Sequence, residues 1–106
     1  MQIIHLKKFG SVLVSRPAGL EAFQAIRPTL DLSQPVAIDV EGVLTVTPSW
    51  FDEFLTNLAE YFGGRVEILP TNNASVLAIL PVLAKDRHDA AAGPLSRAMT
   101  TMGLTP

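Results

Sequence analysis

The stretch Pro35-Val36-Ala37-Ile38-Asp39-Val40-Glu41-Gly42 decides how this chain folds. Its apolar, β-branched core sits between a Ser33-Gln34-Pro35 turn and the Glu41-Gly42 pair, and it does not alternate with polar residues. A short run of that kind reads as a central strand buried on both faces. C-terminal to it comes the clearest helix of the chain. Thr47 is placed to cap it, Pro48 fits the first helical position, and Asp52 with Glu53 is expected to put negative charge in the first turn. Phe51, Phe54, Leu55, Leu58 and Phe62 recur at helical spacing as its core stripe, and Gly63-Gly64 stops it. Arg65 to Leu69 reads as a further strand, and Asn72 or Asn73 as the cap of a helix running to about Leu83, kinked or ended by Pro81. After a polar segment from Lys85 to Gly93, Pro94 to Met102 reads as a last amphipathic helix carrying Leu95, Ala98, Met99 and Met102 on one side.

N-terminal to the deciding stretch, Ser15 is placed to cap a helix with Pro17 near its first turn. Leu20, Ala22, Phe23 and Ile26 form its stripe, and Pro28 closes it. Residues 2 to 14 read as two short strands around a Phe9-Gly10-Ser11 turn. Strands alternating with helices give an α/β fold, a small mixed, mainly parallel sheet with helices packed on it. In such folds ligands and partners meet the C-terminal ends of the strands. Asp39, Thr47 and Asn72, with Arg16 before the first helix, are therefore expected to gather there as a crevice able to take a small ligand or nucleotide.

The composition narrows the function classes. A length of 106 residues fits one domain, read as a unit over residues 1–88 with a helical extension of the same domain over 89–106. The net charge is −2 with only three lysines, so the basic stripe that nucleic acid or an anionic membrane requires is missing. Without cysteine there is no disulfide scaffold, thiolate metal site or cysteine nucleophile. His5 and His88 lie in different elements without ligand spacing, so neither a metal nor any other cofactor is expected. Lys7 and Lys8 follow the first apolar residues rather than precede them, unlike a signal peptide. The longest uncharged run, Ile68 to Ala84, is broken by Pro70, Thr71, Asn72, Asn73 and Pro81. The expected setting is the cytoplasm. Only 17% of the residues are charged, against about 25% in typical soluble domains, which leaves apolar surface to be accounted for.

Ile38-Asp39-Val40-Glu41-Gly42-Val43, followed by Val46-Thr47-Pro48-Ser49-Trp50-Phe51-Asp52-Glu53-Phe54, resembles the motif of the STAS-like domain family known as DUF4325. That motif runs apolar-Asp-apolar-x-Gly-Val, then Ser-Phe-x-Asp-Glu before an apolar residue. The resemblance covers roughly Val14 to Leu83, including Ser15-Arg16, and extends more distantly to the STAS domains of bacterial anti-sigma-factor antagonists. It implies a non-enzymatic regulatory module whose partner is a histidine-kinase-like (GHKL) ATPase, either an anti-sigma factor or a sensor. In those antagonists a strand-to-helix turn reads Asp-Ser-Ser-Gly and its first serine is phosphorylated. Aligned through Asp39 and Gly42, Thr47 stands at the aspartate, Pro48 at the acceptor, Ser49 at the second serine and Trp50 at the glycine. Thr47 and Ser49 are then the hydroxyls available at that turn, as phosphoacceptors or simply as helix caps.

The partner-facing surface is expected at Thr47, Ser49, Trp50, Asp52, Glu53, Asn57 and Tyr61. Trp50, Asn57 and Tyr61 fall on one flank of the helix beside its core stripe, and Trp and Tyr are favoured interface anchors. The competing reading is a wide core-facing side. Asp39, Asp52 and Glu53 could form a carboxylate cluster, or instead cap a turn and complement a helix dipole. Arg16 binds an anion or pairs with an acid near Asp39. The tail with Met99, Met102 and Leu104 packs on the sheet edge or onto a second copy as a homodimer.

Overall fold

The structure, a computed structural model, describes residues 1–104. Five strands and four α-helices lie among them: β1 (Gln2–His5), β2 (Val12–Leu13), α1 (Arg16–Ile26), β3 (Val36–Asp39), β4 (Thr45–Val46), α2 (Pro48–Tyr61), β5 (Val66–Ile68), α3 (Ala74–Ala84) and α4 (Ala92–Thr101). The fold is α/β, and every strand pairing described is parallel. The strands divide into two sheets, β1-β3-β5 and β2-β4, where the sequence reading has one. The two N-terminal strands are thus not partners. A 3-10 turn over Leu6–Phe9 separates them, and each pairs with a strand more than thirty residues on.

β3 is the central strand, with Val36, Ala37 and Ile38 all inaccessible to solvent. Its register sets Ile4 beside Ile38 and Ile38 beside Ile68, so one face of the sheet joins the helix-backed core. The caps fall where side-chain chemistry puts them. Ser15 Oγ accepts from the Ala18 amide, Thr47 Oγ1 from Trp50 and Asn73 Oδ1 from Val76. Caps of this kind contribute about 1 kcal/mol each. Pro81 neither ends nor stops α3, which continues to Ala84. It is exposed in the last turn, where the carbonyl it deprives of a donor can face solvent.

α1 and α2 pack closely because Gly19 lies against the Trp50 backbone. A Cβ there would sit 3.2 Å from Trp50 Cα and closer still to its carbonyl oxygen. α4 closes the other side. Ala91, Leu95 and Ala98 join the same core, and Met99, Met102 and Leu104 pack against it, so the tail is applied to its own chain. Arg97 donates to the Gly64 and Val66 carbonyls at 3.1 and 3.0 Å, which covers backbone at β5. No helix among the described residues is long and apolar enough to cross a membrane.

Candidate functional site

The turn from β4 into α2 is where the candidate residues concentrate. β4 is held on one side by β2, through Thr47 N–H to the Leu13 carbonyl at 2.9 Å. On the other side Ser75 Oγ accepts from Val46 N–H and donates to the Val46 carbonyl, at 2.9 and 3.0 Å. Thr47 is half-buried and committed to capping. Ser49 is half-buried, in the first turn, and its hydroxyl makes no side-chain hydrogen bond among the described residues. Pro48 between them is exposed.

Trp50 is not on the surface. It is 2% exposed, stacked on Phe54 with ring centroids 5.0 Å apart and tilted against Phe9 at 6.2 Å. The wide core-facing side is the correct reading for this residue, because α1 closes over it through Gly19. Tyr61 is 37% exposed and meets Phe23 edge-on at 6.0 Å. Asn57 is half-buried and turns back on its own helix, donating to the Glu53 carbonyl at 2.7 Å. The three do not make a common docking flank.

Asp52 and Glu53 are also corrected. Both lie beyond the first turn of α2, too far on to complement its first amides, and both are taken up within the chain. Arg16 donates to Asp52 Oδ2 at 2.8 Å and to Glu53 Oε2 at 3.1 Å. The other oxygen of Asp52 accepts from Arg87 and, at 3.2 Å, from the Thr56 hydroxyl. Arg87 in turn holds Asp89 at 2.9 Å and the Leu83 carbonyl at 3.0 Å. Asp52 therefore ties α2 to the start of α1 and to the α3–α4 loop. Burial raises its carboxyl pKa, but the hydrogen bonds from Arg16 and Arg87 outweigh that and leave it below the ordinary carboxylate range. The Arg87 guanidinium likewise holds Asp89 low.

Such a group stabilises the fold fully above its unfolded pKa of about 4, and loses that contribution as pH falls through the lower folded value. Asp52→Asn is expected to cost about 1–2 kcal/mol at pH 7, since solvent screens part of the interaction. It should also flatten the acid limb of the urea midpoint plotted against pH. An unchanged limb would contradict the network.

The strand-end crevice does not assemble from the four residues expected. Asp39 Oδ2 lies 2.9 Å from His5 Nδ1 and its Oδ1 accepts from Glu41 N–H at 3.0 Å, an acid closing its own turn. Arg16 is at α2, and Thr47 faces its helix. Asn72 alone lines the clefts at this edge, one of 440 Å³ with Glu41 and Thr71, the other of 280 Å³ with Gly42 and Asn73. Asn73, not Asn72, is the cap, and it also donates to the Val43 carbonyl at 2.6 Å. Asp39 is thus separated from Asp52 and Glu53, and the three carboxylates form no cluster. Among the described residues no group of three or more His, Asp or Glu side chains is placed to hold a metal ion.

Exposed apolar side chains mark a different surface. Leu44 is 74% exposed, Val12 57% and Val14 47%. All three belong to the β2–β4 ribbon or its immediate flanks, on the approach to Pro48 and Ser49. Val12 and Val14 are exposed on either side of buried Leu13, a period-2 burial that the unbroken apolar triplet does not show in the sequence. Comparison with family models, curated proteins and solved structures finds no match. The ribbon and the turn that follows it are therefore judged on their own geometry, as an apolar patch beside a helix start with one hydroxyl unengaged.

Proposed function

We propose that this chain is a non-enzymatic, cytoplasmic regulatory module of STAS-like type that binds a protein partner through the β2–β4 ribbon and the start of α2. The observation that carries the proposal is the exposure of Val12 and Val14 at β2 and of Leu44 just before β4, along the two strands that lead into that turn. Large aliphatic side chains left in water along both strands of one short ribbon mark a surface suited to being covered by a partner. The motif from Ile38 to Phe54 supports a histidine-kinase-like ATPase, acting as anti-sigma factor or sensor, as that partner. Ser49 is the hydroxyl such a kinase would modify, since Thr47 is held in its cap. A phosphoryl group on Ser49 would stand in the first turn of α2, at the positive end of the helix dipole.

Capture from a bacterial lysate tests the reading. Wild type is expected to retain an ATPase of that class, Leu44→Asp to lose it, and Ile3→Asp, at an exposed site on β1 outside the ribbon, to keep it. Equal retention by all three would count against the ribbon, and retention of no ATPase against the partner class.

A further inference from the structure

A groove of 420 Å³ runs between β2 and α1. On one side stand Val12 and Val14; on the other, Ala18, Glu21, Ala22 and Ala25 recur at the spacing of a single helix face. Three of those four are alanine, which leaves open the space that longer side chains would fill. Phe9 and Trp50 also line it, tilted against each other within the core.

The backbone of β2 is paired on one edge only. The Ser11 carbonyl accepts from Leu44 and Thr45 at 2.8 and 3.1 Å, and the Leu13 carbonyl accepts from Thr47 at 2.9 Å, so both point toward β4. Successive backbone groups of a strand point to opposite edges, so the N–H and C=O of Val12 and Val14 point away from β4. They have no backbone hydrogen-bond partner among the described residues, and β2 has no second neighbouring strand. At β5, by contrast, Arg97 covers exposed carbonyls.

We infer that this groove takes an extended peptide segment of the partner by strand addition to β2, with alternate apolar side chains entering between β2 and α1. The inference rests on the partner-binding reading and names the chemistry of the segment. The one charged residue lining the groove, Glu21, is in no salt bridge among the described residues, so the segment carries a lysine or arginine opposite it. A single strand suits the space better than a second copy of the chain, whose β2 would arrive with its own α1 alongside.

Selection of linear random peptides on the immobilised protein tests this, followed by titration of the enriched peptide as a synthetic probe. Enriched sequences are expected to alternate apolar residues and to include a basic one. The amide resonances of Val12, Val14 and residues 18–25 should shift on titration. Glu21→Lys, and Ala25→Trp at an exposed position that fills the groove, should each weaken binding by about tenfold or more, while Leu44→Asp, outside the groove, changes it by less than about twofold. No enriched peptide, shifts centred elsewhere, or insensitivity to both groove variants would overturn the inference. So would a concentration-dependent dimer abolished by Val12→Pro, which removes an outward N–H and would assign the edge to a second copy. Loss of ATPase capture in Leu44→Asp with no peptide in the groove would sink only the groove; a groove peptide with ATPase capture unaffected in Leu44→Asp would sink only the ribbon.

Discussion

Replacing Trp50 with alanine is expected to remove about 3–5 kcal/mol of stability, the usual cost of deleting a large buried aromatic. The indole is 2% exposed and stacked on Phe54, which is itself inaccessible, so no solvent-side relaxation can fill the hole. With a urea dependence of about 1–1.5 kcal/mol per molar for a chain this size, the midpoint should fall by about 2–5 M. Trp50→Phe, which keeps an aromatic ring in the stack, should lose markedly less. A midpoint unchanged by Trp50→Ala would mean that the side chain stands on the surface, as an interface anchor would.

Gly19→Ala should destabilise by about 1–3 kcal/mol although alanine is the better helix former by about 1 kcal/mol. The added methyl would collide with the Trp50 main chain, which cannot rotate away as a side chain can, so α1 must move off α2. Gly93→Ala in α4 is the control. Its Cβ would meet only the guanidinium end of Arg97, at 3.1 Å, and the change should stay within about 1 kcal/mol of neutral. Parallel urea titrations decide between them, and equal effects at the two positions would contradict the close approach of α1 to α2.

These two positions also show where the sequence is readable and where it is silent. Val36 to Asp39 and the helix from Pro48 are legible because each carries its own signal. An unbroken apolar run serves the first, and a capping threonine, a leading proline, an apolar stripe and a glycine stop serve the second. β4 is not legible: two residues have no period, and Thr45–Val46 is a strand only because β2 and Ser75 bracket it. The partner of Asp52 is equally hidden, since Arg87 comes from a loop 35 residues away that no spacing rule connects to α2. Gly19 offers a hint, being a costly residue in a helix interior that needs a close neighbour to justify it. For the candidate site, the strand-to-helix turn with Thr47 and Ser49 is visible in advance. Trp50, Asp52 and Glu53 look equally available there, but their side chains are claimed by core packing and by the Arg16–Asp52–Arg87 chain of contacts. The low charge of the chain divides between that core and the Val12, Val14 and Leu44 patch, which local composition does not single out.

Docking of the partner on the β2–β4 ribbon, beside the start of α2, makes Leu44 the residue whose change should matter most. The most direct test is the dissociation constant of a purified histidine-kinase-like ATPase partner for wild type, Leu44→Asp and Ile3→Asp. All three proteins should have the same unfolding free energy within about 0.5 kcal/mol, because both substituted side chains are exposed. Leu44→Asp is expected to weaken binding by about tenfold or more, as burying a carboxylate at an apolar contact requires, with Ile3→Asp close to wild type. Equal affinities for Leu44→Asp and wild type would contradict the claim.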